Sequence, residues 1–400
     1  MLKERTAEWT PELLRDIEEL AAAAGFDIAG VAPAASKMTE DGERFISWVD
    51  AGRAGEMDFL KRRNEEGVLL RSAIQVAIPW ARSLLVCAVN YNAAAPLSID
   101  PAPVAAGWIA RYAWSGRKRA EGSEVNEGHD SSQPSSSQLL PTDYHDDLLE
   151  RLRTIEAGLQ RQVTCETRCY VDTGPIVERG FAAKAGVGWI GKNTCVLNQS
   201  LGSWLLLGVI VTSLPVRDDI PLEIAADRCG SCTRCIDACP THALIAPREM
   251  DASRCIAYLT IEKKGSIPEP FRGLIGRQVF GCDICQDVCP WNRRAPIARE
   301  HDLEPRPELI NPALDWLAQM DVAAFTHYFK GSPLERTRRK RLHRNVAIAM
   351  GNSRDPRFLP QLESWSSDGD AVLAEAAAWA IGAIRHATSL EPDLSRIRSS

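Results

Sequence analysis

The stretch Cys229-Gly-Ser-Cys-Thr-Arg-Cys-Ile-Asp-Ala-Cys-Pro240 sets four cysteines, Cys229, Cys232, Cys235 and Cys239, at three- and four-residue steps with a proline behind the last. A second set follows: Cys255, then Cys282, Cys285 and Cys289 with Pro290 behind it. Zinc sites bring two cysteine pairs together across an intervening loop. Three cysteines at successive three-residue steps, then a fourth and a proline, form instead the run by which bacterial ferredoxins hold a 4Fe-4S cubane. In that run the fourth cysteine ligates the other cluster. The expected ligand sets are therefore Cys229, Cys232, Cys235 and Cys289 for one 4Fe-4S cluster, and Cys239, Cys255, Cys282 and Cys285 for its partner. Two adjacent clusters carry single electrons, which leaves the end of that path to be found.

The rest of the chain bounds the answer. Its 400 residues, 45% hydrophobic and 25% charged, exceed the roughly 250–300 residues at which single cores stop growing, so two or three globular domains are expected. Residues 1–25 carry charges throughout and read as an amphipathic helix rather than an export signal. The longest apolar run, Trp204 to Val211, is far short of the roughly 20 residues of a membrane helix and suits a buried strand. A cytoplasmic protein with no membrane association is expected, and there clustered cysteines mean metal more often than disulfides. Of the remaining cysteines, Cys87 lies in the apolar run Leu84-Leu-Val-Cys-Ala-Val89 and reads as a small buried hydrophobe. Cys165, Cys169 and Cys195 lack ligand spacing.

Three parts are expected. Residues 1–220 mix helical patterns with short apolar strands, notably Ser83 to Val89 and Ser203 to Thr212, and read as an α/β or α+β unit. The cluster segment occupies 221–300. Residues 301–400 are helical, where Arg344-Asn-Val-Ala-Ile-Ala-Met-Gly351 resembles Ala376-Ala-Ala-Trp-Ala-Ile-Gly382. Both apolar helices are expected to end at those glycines, 31 residues apart, as in stacked HEAT-like repeats. The fold class is thus α+β. Within the first part, 116–141 is polar and serine-rich and reads as a flexible surface insertion, with His129 a solvated loop residue.

Charge adds a second clue. The chain carries a net charge of -6, yet Arg336-Thr-Arg-Arg-Lys-Arg-Leu-His-Arg344 gathers six Lys and Arg at the entry to the helical part. On one helical surface these residues would attract phosphates, which points to a nucleic acid. The remaining chemistry lies in Tyr170-Val-Asp-Thr-Gly-Pro175 and the glycine-rich Arg179 to Asn193. Gly186, Gly188 and Gly191 have the spacing of GxGxxG but not its setting after a strand with a helix behind, which argues against a Rossmann dinucleotide site. Asp172, beside a Gly-Pro turn, is by residue type alone a turn former.

Taken together, Arg111-Tyr-Ala-Trp114, Thr142-Asp-Tyr-His145, Val171-Asp-Thr-Gly-Pro175, Gly188-Trp-Ile-Gly-Lys-Asn193, the doubled cysteine run and the helical tail resemble the epoxyqueuosine reductases. The resemblance spans nearly the whole chain and departs from the family in the insertion. It implies a cobalamin-binding catalytic domain over 1–220, a ferredoxin-like domain with two 4Fe-4S clusters, and a helical domain that binds tRNA. The implied reaction is reduction of the epoxide of epoxyqueuosine at the tRNA wobble position, the last step of queuosine synthesis, with an unidentified electron donor and the enzyme acting as a monomer. It implies corrin contacts at Arg71, Ala110, Asp172, Val177, Val196, Leu197, Asn198, Leu207, Gly281, Cys282, Asp283 and Ile284. Contacts to tRNA are implied at Arg254, Glu269, Gly273, Arg338, Arg339 and Arg344.

By the same resemblance cobalt takes no protein histidine, and the chain lacks the Asp-x-His-x-x-Gly motif of histidine-ligated cobalamin enzymes. Asp143-Tyr-His-Asp-Asp-Leu148 has leucine at the glycine position. Asp172 is the implied proton donor. An ordinary aspartate is ionised at neutral pH, so burial against the corrin is expected to raise its pKa. Two other readings stand beside this one: a reductive dehalogenase-like cobalamin enzyme, and an electron-carrying ferredoxin module with no substrate of its own.

Overall fold

The computed structural model describes residues 7–34, 39–118, 139–222, 224–299 and 303–397. Its first unit is an antiparallel sheet of β1 (Ile28–Pro33), β2 (Ser83–Asn90), β3 (Thr167–Tyr170) and β4 (Leu205–Thr212), in the order β1-β2-β4-β3. Strand β2 is buried at every position. Its near-continuous apolar run is explained by cover on both faces, unusual for an antiparallel sheet. Leu85, Cys87 and Val89 pack with residues of α1 (Pro11–Ala23) and α3 (Tyr144–Gln162). Leu84, Val86 and Ala88 pack with Ile176, Val187 and Ala182 of α4 (Glu178–Lys184). Between β1 and β2 comes α2 (Glu40–Asp50), tethered at a distance in sequence by the Trp48 Nε1–H, which donates to the Met250 carbonyl at 2.6 Å.

Helix starts are locally encoded. In α1 the Thr10 hydroxyl accepts from the Leu13 N–H, with Pro11 at the first position. In α3 the Asp143 carboxylate accepts from the His145 N–H at 3.0 Å.

A second core joins what the sequence divides at 220 and 300. Trp108, Ile109 and Trp114 pack with Leu259 of α5 (Ile256–Ile261), with Val279 and Phe280, and with Val346 and Ile348 of α6 (Arg338–Ser353). Helices α7 (Leu359–Ser366) and α8 (Ala371–Ile397) complete it. The expected helix ends at the two glycines are corrected. Gly382 lies inside α8, and Gly351 precedes the end of α6 because α8 passes against it. A Cβ at Gly351 would meet the Ala380 Cα at 2.7 Å.

The insertion is also narrower than expected. Ser115–Lys118 and Leu139–Pro141 pair as antiparallel strands, and Glu304–Pro305 joins them. The remainder of 116–141, with His129, lies outside the described residues. Cys87, Cys165 and Cys169 are free, and none of the helices among the described residues is long and apolar enough to cross a membrane.

Candidate active site and cysteine sets

The chain leaves β3 through Val171 into a tight turn in which the Thr173 N–H donates to the Val171 carbonyl. Asp172 takes φ 57° there, a left-handed conformation that Asp tolerates better than most residues. Its side chain is 62% exposed to an open cavity of about 430 Å3. The Tyr144 hydroxyl lies 3.5 Å and the His145 Nε2 3.6 Å from Asp172 Oδ2. His145 Nδ1 is 2.6 Å from Asp143 Oδ1, and the His145 ring stacks on Tyr144 with centroids 4.0 Å apart. The first turn of α3 therefore delivers an Asp–His pair onto the Asp172 carboxylate.

These neighbours decide where protons reside. Burial works against a charged His145, but the hydrogen bond to Asp143 and then the nearby Asp172 carboxylate outweigh it and raise the ring to about 9. The His145 ring, 3.6 Å away, holds Asp172 below the usual carboxylate range, against the opposing effect of burial. The shift runs opposite to the one expected from burial against a corrin, because a cation sits within reach of the carboxylate. Glu178 at the start of α4 goes the other way. Burial, then the charge of Asp172, pushes it up to about 8, although Arg71 opposes the shift. Its Oε1 is buried without a hydrogen-bond partner.

Five of the expected corrin contacts, Arg71, Asp172, Val177, Val196 and Leu207, line the cavity. Leu205 and Leu206 extend its apolar wall, and Phe45 and Trp48 of α2 add aromatic faces. Ala110, Leu197, Asn198, Gly281, Cys282, Asp283 and Ile284 are not among its lining residues. Their chemistry lies behind the wall. The Asp283 carboxylate accepts from the Arg111 N–H at 2.7 Å and the Trp108 Nε1–H at 3.3 Å. Gly281, at φ 69°, is where a Cβ would lie 2.5 Å from that of Ala110. Leu197 packs with Trp189 and Cys289, Asn198 donates to the Val187 carbonyl, and Ile284 opens the short helix that carries Cys285. Phe45, Trp48, His145 and Glu178 are site residues that sequence reasoning missed. Glu178 could have been found as the carboxylate next to Val177, whereas nothing in the local pattern of α2 sends its aromatics to this cavity.

Cysteines far apart in sequence act on one another's thiols. Burial, then the neighbouring Cys289, pushes the Cys235 thiol up to about 11, and Cys229 acts on both. Cys232 shares their turn, its N–H donating to the Cys229 carbonyl. Cys255 and Cys239 act on Cys282, while Cys282 and Cys255 act on Cys285. Cys195, a cavity-lining residue, meets Cys285 thiol to thiol. The second cysteine set therefore abuts the cavity.

The segment 228–292 matches a family model described as a 4Fe-4S double cluster binding domain. Over the longer chain, the epoxyqueuosine reductase of Xanthomonas campestris pv. campestris is 36% identical across 371 residues, covering 91% of this chain and 94% of that protein. This chain belongs to the epoxyqueuosine reductase family. The Escherichia coli K12 epoxyqueuosine reductase is 33% identical over 92% of this chain and 89% of its own length. A crystal structure of selenomethionine-labelled epoxyqueuosine reductase superimposes with a TM-score of 0.77 at 30% identity, covering 96% of this chain and 94% of that one. Another, of an epoxyqueuosine reductase with an epoxyqueuosine-modified tRNA-Tyr stem loop, gives 0.76 at 30% identity with the same coverage.

In this family member the basic run is not one solvated face. Arg338 is exposed and Arg339 half-buried, but Arg344 is 1% exposed. From Leu342 to Gly351 α6 is buried all round, so the helix carries the run from the surface into the core. Arg344 donates to the carbonyls of Leu259, Lys263 and Gly265 at 2.6–2.9 Å, serving carbonyls that the end of α5 leaves open. The expectation that Arg344 touches tRNA is corrected on that ground. Arg341 likewise turns to the Ile261 carbonyl, and Arg336 pairs with Glu262. Glu269 and Gly273 are exposed, and Arg254 is half-buried with its Nε lacking a partner.

Proposed function

We propose that this chain reduces the epoxide of epoxyqueuosine in tRNA, with cobalamin in the cavity beside Asp172 and two 4Fe-4S clusters on the cysteine sets. The supporting observation is that the family match runs the length of the chain, so it takes in the cavity, both cysteine sets and the exposed part of the basic run together. The cavity suits a corrin. Its apolar wall matches a flat macrocycle, while Arg71 and the partnerless Glu178 Oε1 offer polar groups to amide side chains. When bound, cobalamin supplies a strongly reducing centre and the clusters supply single electrons to it. Arg71, Val177, Val196 and Leu207 would hold it, with Phe45 and Trp48 adding aromatic faces. In this reading 1–220 binds the cofactor, 221–300 holds the clusters, and the HEAT-like 301–400 meets tRNA through Arg338 and Arg339, with Arg254, Glu269 and Gly273 as further contacts. The enzyme would act in the cytoplasm as a monomer.

The chain's own task is proton delivery and exclusion of water. Opening an epoxide leaves an alkoxide, which departs faster once protonated. Asp172 would face that oxygen. Asp172→Asn keeps the size of the side chain but not its capacity to carry a proton. Clusters and cobalamin should be retained, while single-turnover conversion of epoxyqueuosine-bearing tRNA should fall by about 10². The measurement is mass spectrometry of digested tRNA, scoring loss of one oxygen atom. Turnover by the variant at the normal rate would remove Asp172 from the mechanism, and failure of the unsubstituted protein to convert this tRNA would remove the function.

A further inference from the structure

Conversion of epoxyqueuosine to queuosine removes one oxygen atom. Balancing it takes two electrons and two protons, with the oxygen leaving as water. The electrons are accounted for by the reductant and the clusters. The protons are not, because Asp172 is held ionised and has none to give at neutral pH.

We propose that His145 is the proton reservoir of the site and that Asp172 is the conduit between it and the departing oxygen. This inference rests on the reading of Asp172 given above. In the step, the His145 Nε2–H bond breaks and the proton passes to Asp172 Oδ2. From there it forms the O–H bond on the oxygen released by carbon–oxygen cleavage. His145 is left neutral, with Asp143 still accepting from its Nδ1–H. Reprotonation from solvent restores the imidazolium for the second proton.

The geometry has the parts in order: Asp143 Oδ1 at 2.6 Å from Nδ1, and Asp172 Oδ2 at 3.6 Å from Nε2. The ring is fixed by its stack on Tyr144 and is only 16% exposed, so it is held against the carboxylates rather than free in solvent. An aspartate orienting a histidine from behind is a recurrent device for fixing tautomer and charge. The groups facing the pair come from four elements. Asp143 and Tyr144 lie on the first turn of α3, Glu178 and Arg179 on α4, and Asp172 on the β3 turn. Arg336, ahead of α6, acts on Asp143, Tyr144 and Asp172. Burial opposes a charged histidine, and the two aspartates outweigh it, leaving the ring at about 9.

The sign follows. A ring raised to about 9 from 6.5 is charged below that value, so single-turnover rate should hold through neutral pH and fall as pH rises through about 9. His145→Gln can still donate a hydrogen bond to Asp172 but stores no proton. It should retain cluster content, cobalamin and tRNA affinity, lose about 10² in rate, and lose the alkaline limb. Asp143→Asn should keep the low-pH rate and shift that limb to lower pH, because the ring loses the carboxylate that holds its charge. A His145→Gln rate near normal with the limb unchanged, beside a slow Asp172→Asn, would overturn the reservoir and leave Asp172 standing. A slow His145→Gln that keeps the limb would also overturn it, since that is the mark of a structural role. Normal rates in both variants would instead remove Asp172 itself.

Discussion

Two stretches of this chain are dense in one kind of side chain, and folding treats them oppositely. The cysteines between Cys229 and Cys289 act on one another across up to sixty residues of sequence, Cys289 and Cys229 both raising the Cys235 thiol. The basic residues between Arg336 and Arg344, neighbours in sequence, are dispersed to different tasks. Arg336 pairs with Glu262, Arg341 and Arg344 serve backbone carbonyls, and Arg338 remains at the surface. The difference is one of physical constraint. Cluster ligation demands several sulfurs around one centre, so spacing encodes geometry. A charge run demands only solvation, and a buried carbonyl cage supplies part of it, although burial still pushes Arg344 down to about 10.

The comparison can be broken most severely at Cys289. Cys289→Ala should abolish turnover and selectively remove the cluster on Cys229, Cys232 and Cys235, read by electron paramagnetic resonance of the reduced protein. Selective loss of the cluster on Cys239, Cys255, Cys282 and Cys285 would overturn the crossed grouping.

At Arg344 the expected damage is to the fold. Arg344→Met leaves the carbonyls of Leu259, Lys263 and Gly265 unpaired in a buried site, at a cost of about 3–5 kcal/mol. Denaturant unfolding should show the loss. A variant as stable as the parent but weak for tRNA would return Arg344 to the nucleic-acid face.

Paired substitution of Arg338→Gln and Arg339→Gln should leave unfolding within about 0.5 kcal/mol. It should weaken tRNA binding and reduce the slope of log affinity against log salt by about 1 for each phosphate that is no longer neutralised. An unchanged slope would make these side chains ordinary surface.

The last effect, at Glu178, appears only as the pH rises. Its folded-state pKa is raised to about 8 from 4.5, so its contribution to stability is fully present below about 4.5 and is lost as pH rises through about 8. Glu178→Gln should therefore raise the melting temperature near pH 8.5 and leave it nearly unchanged at pH 4.5. An equal shift at both pH values would mean that packing, not ionisation, governs the position.

Much of this protein was determined by residue pattern alone. The cysteine spacing names its metal chemistry because a cubane accepts few ligand spacings. The apolar runs at Leu84 and Leu205 become central strands because only a doubly covered sheet hides them. Thr10 and Asp143 start helices because their side chains bond the open N–H groups of their own first turn. What sequence could not determine depended on a partner from elsewhere in the chain. Gly382 reads as a helix stop until α8 continues through it, and Gly351 is explained only by the passage of Ala380. Arg344 reads as a phosphate ligand until α6 is seen entering the core. The charge states of Asp172 and His145 were the least legible, since Asp172 stands 27 residues beyond His145 and neither shifts without the other. Local pattern governs what a residue can do through bonds to its own neighbours. Tertiary structure decided burial and charge here, because both are set by groups that only packing brings within reach.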